Sequence, residues 1–170
     1  PAAGGTGMSL EVTVGGQKSS VHAANLNYLR PQISSISSTT DPMLPATATS
    51  IEVQGSNFGP LGTQYTPALS YGGADGRKYT ATSCRVTTED EVVQCSSVLG
   101  SGAGLRATIS FGADSIGSQR SELSASDVTL DYAIPRVDSI SSLGKTDGTS
   151  QNFTVTGENF GEIAAATVTC

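Results

Sequence analysis

The chain has 170 residues, a net charge of -6 with charged side chains making up only 14%, one histidine and no tryptophan. An acidic chain without a run of Lys and Arg lacks the clustered cations that phosphate binding requires, which excludes a nucleic-acid surface. No stretch approaches the roughly 18 consecutive apolar residues of a membrane helix, and Pro1-Ala-Ala-Gly4 has neither the charged nor the apolar region of a signal peptide. Serine and threonine number 44, about a quarter of the chain. A composition so rich in hydroxyls suits disorder, but the repeated alternation of Val, Ile, Leu and Phe with polar residues argues for a folded all-β protein.

Taken in order, Met8, Leu10, Val12 and Val14 alternate as one strand and Ala24, Leu26 and Tyr28 as another, so residues 1–30 read as the last strands of a unit. Residues 31–134 read as a complete unit. Ile33 and Ile36 mark its first strand, and Ser37 to Ser50 a polar loop in which Asp41-Pro42 and Pro45 end pairing. Ile51 and Val53 alternate into the turn Gly55-Ser-Asn-Phe-Gly59. There Gly55 is expected to take positive φ, Asn57 to enter the left-handed region or bond its own backbone, and Gly59 to release the chain again. Phe58 is then positioned to plug the end of a two-sheet core. Further strands are expected at Ala68–Tyr71, Lys78–Val86, Val92–Ser97 and Leu105–Phe111, and at the alternating Val128, Leu130, Tyr132 and Ile134, with Thr87 to Glu91 as a polar hairpin tip.

Residues 135–170 restart the pattern. Ile51 to Gly59 recurs as Phe153-Thr-Val-Thr-Gly-Glu-Asn-Phe-Gly161, so Gly157, Asn159, Phe160 and Gly161 repeat the turn. Pro31-Gln-Ile-Ser-Ser-Ile-Ser-Ser38 recurs as Pro135-Arg-Val-Asp-Ser-Ile-Ser-Ser142, 104 residues on, with Tyr28 and Tyr132 each three residues ahead of the proline. Gly5 to Gly15 recurs as Gly102 to Gly112 at an offset of 97, so the loop after that strand is about seven residues longer in the second copy. A period near 100 is the size of one sandwich domain with its own core.

Pro-x-hydrophobic-x-x-Ile, then hydrophobic-x-Val-x-Gly-x-Asn-Phe-Gly, then Cys-x-Val with a polar hairpin and Val-x-Cys, resembles the IPT/TIG family of immunoglobulin-like domains. The resemblance covers nearly the whole chain. It implies an all-β fold of tandem immunoglobulin-like β-sandwiches: the C-terminal strands of a preceding unit (1–30), one complete unit (31–134) and the N-terminal strands of a following unit (135–170). The family is found in receptors such as plexins, in tandem-repeat ectodomains, in dimerisation domains of Rel-type transcription factors and beside starch-acting enzymes. It therefore implies a fold more narrowly than a function.

Cys84 and Cys95 flank the polar tip, and facing positions on paired strands come within reach of a disulfide, an arrangement that IPT/TIG ectodomains often carry. Two buried free thiols are the alternative reading. A disulfide implies an oxidising, extracellular setting. Zinc is disfavoured because His22 and Cys170 fall in different repeats and no Cys-x-x-Cys occurs. Asn152-Phe-Thr154 is a glycosylation sequon on an expected strand, with Asn152 facing out if Phe153 faces in. The acidic tip Glu89-Asp90-Glu91 offers weak calcium ligands or plain solubility. No nucleophile elbow, His-Glu-x-x-His pair or phosphate loop occurs, so no catalytic, metal or cofactor residue is assigned.

These features point to a structural or adhesive repeat segment of an extracellular surface protein or filament, a semi-rigid glycosylated rod. Its partners would be further repeats of the same chain or identical neighbouring molecules head to tail. A carbohydrate-binding or accessory module, or a ligand-binding segment of a receptor ectodomain, is the alternative; the absence of tryptophan and the five tyrosines leave little for sugar stacking.

Overall fold

The computed structural model describes residues 8–39, 44, 49–61, 66–112, 119–141 and 154–161. Among the described residues there are fourteen strands and no helix. The first group is β1 (Met8–Leu10), β2 (Thr13–Val14), β3 (Gln17–Lys18) and β4 (His22–Leu26). Next come β5 (Gln32–Ser38), β6 (Ser50–Ser56), β7 (Ala68–Tyr71), β8 (Tyr79–Thr80), β9 (Thr82–Thr88), β10 (Val92–Ser96), β11 (Ala107–Phe111) and β12 (Gln119–Arg120). The last are β13 (Arg136–Ile140) and β14 (Val155–Glu158).

Residues 31–134 hold two four-stranded antiparallel sheets, ordered β5-β6-β10-β9 and β12-β11-β7-β8. Period-2 alternation turns one face of each sheet inward. Ile36, Ile51, Val53, Val86, Val93 and Cys95 from the first then share one core with Leu69, Tyr71, Ala107, Ile109 and Phe111 from the second. None of these exposes more than 8% of its surface. Burying each large apolar side chain contributes about 1.5–3 kcal/mol, so this shared core is the main term holding the sheets together.

The expected strand Lys78–Val86 is divided. β8 pairs with β7 in the second sheet, while β9 pairs with β10 in the first. Ala81 alone lies between them, buried, its N–H donating to the Leu69 carbonyl at 2.9 Å. A methyl side chain lets the backbone cross the core edge without displacing neighbours. The expected strand of Val128, Leu130, Tyr132 and Ile134 is likewise not continuous. Leu130 bridges Leu105, Tyr132 bridges Leu44 in a parallel contact, and Ile134 is exposed.

The reason lies in the hydrogen bonds opposite β11. Ser121, Ser124 and Leu130 donate their N–H groups to Ile109, Ala107 and Leu105, so three and then six residues run against every two of β11. Extra residues leave buried N–H groups without a facing carbonyl, which costs about 1–3 kcal/mol each. Serine hydroxyls fill the gap. Ser121 Oγ accepts from the Ile109 N–H at 3.0 Å and Ser124 Oγ from the Ala107 N–H at 3.0 Å. The same reciprocal pair, serine N–H to a carbonyl and the partner's N–H back to the serine hydroxyl, links Ser97 with Thr49, Ser19 with Val12 and Ser141 with Thr154.

The pairings themselves recur along the chain. Val14 opposite Gln17 and Thr13 opposite Lys18 reappear as Phe111 opposite Gln119 and Ser110 opposite Arg120. Met8 opposite Leu26 reappears as Leu105 opposite Leu130, and the Val12–Ser19 pair as Ile109–Ser121. The additional seven residues of the second copy are split. Five fall between the paired strands, where Gly15 and Gly16 make a two-residue turn with φ of 58° and 80°, and two fall later. At the other end, Ile33 opposite Gly55 and Ile36 opposite Val53, with a bulge between Ile33 and Ser35, match Val137 opposite Gly157 and Ile140 opposite Val155, with a bulge between Val137 and Ser139.

Replacing Ser124 by Ala should cost about 1–3 kcal/mol in urea denaturation, because the buried Ala107 N–H loses its acceptor. The neighbouring exposed Ser126→Ala should stay within about 0.5 kcal/mol of the parent.

Candidate functional site

The turn that follows β6 is built around a missing side chain. Gly55 does not take positive φ, contrary to expectation; that conformation belongs to Asn57 at 61° and Gly59 at 76°. Gly55 is required by close approach instead. A Cβ there would lie 1.9 Å from the Gln32 carbonyl oxygen and 2.5 Å from Phe58 Cζ. Gly157 repeats the arrangement, with the Arg136 carbonyl oxygen at 1.9 Å and Phe160 Cζ at 2.7 Å, and Asn159 and Gly161 repeat the left-handed φ values at 60° and 69°.

The Phe58 ring laid over Gly55 is 1% exposed and stacks on Phe111 of the opposite sheet at 5.8 Å between centroids. It plugs the core as the sequence pattern suggests. Asn57 Nδ2 donates to the Arg30 carbonyl at 2.9 Å, and Asn159 Nδ2 to the Ile134 carbonyl at 3.4 Å. Each asparagine thus holds the residue just before the proline that opens its own hairpin, rather than bonding its own backbone.

The tip between β9 and β10 closes over the same turn. Asp90 sits at φ 65°, its N–H donates to the Gly59 carbonyl at 2.8 Å, and its Oδ1 accepts from the Gly59 N–H at 3.0 Å. The tip carbonyls also take the Gly55 and Phe58 N–H groups, from Glu91 and Asp90 respectively. One oxygen of the Asp90 carboxylate is therefore engaged by the protein. Among the described residues no group of three or more His, Cys, Asp or Glu is placed to hold a metal ion. Below the tip, Cys84 and Cys95 form a disulfide with Cα atoms 4.0 Å apart, joining adjacent strands of one sheet where the register of β9 slips.

At the opposite end of the sandwich, Tyr132 is a core residue rather than a junction surface. Its hydroxyl donates to the Val98 carbonyl at 2.6 Å and lies 2.9 Å from that of Tyr71, which also accepts from the Val98 N–H at 3.2 Å. The Tyr79 hydroxyl bonds both the N–H and the carbonyl of Ser101. Burial pushes the Tyr79 phenol up, but its bonds to Lys78 and to Ser101, with the Lys78 charge, outweigh burial and leave its pKa below the ordinary value. Gly100 is excluded from carrying a Cβ by the Tyr132 ring, 2.6 Å away. The turn at Gly161 approaches this loop, its Cβ position lying 3.1 Å from the Gly100 carbonyl oxygen and from Ser101 Cβ.

The segment between β4 and β5 is tied to the second sheet. Gln119 Nε2 donates to the Tyr28 carbonyl, and Arg30 pairs with Glu122 across 92 residues of chain. That ion pair is largely exposed and contributes at most about 1 kcal/mol. Leu10, Val12 and Val14, counterparts of buried Ala107, Ile109 and Phe111, are exposed, as are Val137, Ile140 and, at 37%, Phe160. Asn152, Phe153 and Cys170 lie outside the described residues. Among the described residues no helix is long and apolar enough to cross a membrane. No family model, curated protein or solved structure matches the chain.

Gly55→Ala should destabilise the protein by about 2–3 kcal/mol in urea denaturation, since the carbonyl and the ring cannot both yield. Phe58→Ala should cost about 3–5 kcal/mol. A non-reducing peptide map should recover Cys84 linked to Cys95, and replacing both by Ala should lower stability by roughly 3 kcal/mol.

Proposed function

We propose that the chain is a segment of a tandem array of immunoglobulin-like units of the IPT/TIG type, whose role in an extracellular surface protein or filament is to provide length and stiffness. The observation that carries this reading is the recurrence of strand pairings, with their bulges and serine pairs, at the offsets of the sequence repeat. The sheet orders support the fold: β5-β6-β10-β9 corresponds to strands A-B-E-D of an immunoglobulin sandwich and β12-β11-β7-β8 to G-F-C-C′. The unit would span residues 31–134, with residues 1–30 ending one repeat and 135–170 opening another.

Stiffness follows from the junctions. Pro31 fixes φ and is fully buried, Asn57 grips the carbonyl ahead of it, and Gln119 grips that of Tyr28. Asn159 repeats the grip on the carbonyl ahead of Pro135, which is itself exposed, and the Gly161 turn seats against Gly100 and Ser101. The exposed Leu10, Val12 and Val14, and Val137 and Ile140, would on this reading pack against other strands of repeats or of identical neighbours. The disulfide supports an oxidising extracellular setting. Glycans on Asn152 would add to the hydrophilic surface of the rod.

Small-angle scattering of the segment should give an elongated particle whose fitted inter-unit angles vary little. Hinge bending of tens of degrees between neighbouring units would remove the stiffness and with it the proposed role.

A further inference from the structure

Beside β12, the edge strand of the second sheet, lies an open depression of about 430 Å³. Three arginines line it: Arg30 from the segment before β5, Arg77 from the turn between β7 and β8, and Arg120 from β12. They are three of only nine basic residues in a chain of net charge -6, so the local field there opposes that of the molecule as a whole.

The carboxylates in the same depression do not neutralise all three. Glu122 pairs with Arg30, and Asp75 Oδ1 accepts from the Arg77 backbone N–H at 3.2 Å. Among the described residues the exposed Arg77 guanidinium makes no hydrogen bond or ion pair with another side chain. Arg120 donates through Nη1 to Thr108 Oγ1 at 3.2 Å, which leaves most of its five donors open. Two planar forks suited to oxyanions are therefore available in the lining of one depression.

The remaining lining is polar and retains hydrogen-bonding capacity. Gln119 uses its Nε2 on Tyr28, leaving Oε1 as an acceptor; Ser121 accepts from Ile109 and Thr108 from Arg120, leaving both hydroxyls as donors. Leu123 is the sole apolar side chain of the lining. With one apolar side chain in its lining the depression offers little anchorage for an apolar residue, whereas a ligand of hydroxyls and oxyanions meets the two arginines and the edges of nearly buried Thr108, Gln119 and Ser121.

We propose that this depression binds an acidic carbohydrate, its sulfate or carboxylate oxygens held by Arg77 and Arg120 and its hydroxyls by Thr108, Gln119 and Ser121. The site goes beyond the mechanical role, and its failure would leave that role untouched. With no aromatic platform in the lining, charge-assisted bonds dominate, so binding weakens as salt rises.

The test is a titration of the ¹⁵N-labelled 170-residue chain with a sulfated tetrasaccharide, its desulfated counterpart, a tetragalacturonate, inorganic sulfate and hexaglutamate. The sulfated or uronate sugar should shift the Arg77 and Arg120 side-chain signals and the amides of 119–121, and saturate at lower concentration than inorganic sulfate. Which of the two sugars binds more tightly identifies the oxyanion. Affinity should fall at least about tenfold in Arg77→Gln/Arg120→Gln and stay unchanged in Lys78→Gln, with melting temperatures equal across the three proteins. Equal affinity of the double variant, or saturation by neither acidic sugar at millimolar concentration, would overturn the site. Hexaglutamate binding as tightly as the sugars would overturn the carbohydrate assignment.

Discussion

The geometry of the complete sandwich depends on one point of contact, the backbone of Gly55 pressed between the Gln32 carbonyl and the Phe58 ring. Because no side chain intervenes, the bulged strand β5 can pair closely alongside β6, and the ring is laid down where it meets Phe111. That placement joins the two sheets. The residues on either side of the ring do the remaining work: Asn57 holds the incoming chain at Arg30, and Gly59 receives Asp90 from the hairpin that the disulfide closes. Sheet pairing, junction and disulfide hairpin therefore meet within five residues, and the second copy of the turn repeats the contact to within about 0.2 Å at the ring.

The hydroxyl-rich composition has a structural use that solvent exposure does not explain. At Ser97, Ser121 and Ser124 the hydroxyl is buried and stands in for a backbone carbonyl that the irregular register has displaced. A short side chain with both donor and acceptor is suited to this, since Ser124 also donates onward to the Val128 carbonyl at 2.7 Å. Loops can thus lengthen beside β11 without leaving its N–H groups unsatisfied. The difference in length between the two copies falls in that part of the chain.

The sequence patterns disclosed most of what depends on side-chain alternation and little of what depends on partner choice. Ile51, Val53 and Phe58 could be read as core and Cys84 and Cys95 as facing positions, because their own spacing carries that information. Ala81 could not be read as a crossing between sheets, since alanine neither breaks a strand nor marks a turn. Val128 to Ile134 alternate as a strand would, yet what they pair with is set by the residues inserted before them. Gly55 was legible as an obligatory glycine but not for the right reason: positive φ and close approach leave the same letter in the sequence. The cluster of Arg30, Arg77 and Arg120 had no signal at all, as its members are separated by 47 and 43 residues and meet only through the fold.

The parallel bridge between Leu44 and Tyr132 is small in extent, two backbone bonds of 2.7 Å running from Leu44 to Asp131 and from Ala133 to Leu44. It acquires another meaning when the unit is placed under tension. A pull applied at Pro31 and Ala133 draws these two parallel segments past each other, so both bonds bear load together in shear instead of parting in sequence like a zipper. Resistance to stretching would then reside in the patch around fully buried Leu44, and the disulfide would limit how far the chain extends only after that patch has yielded.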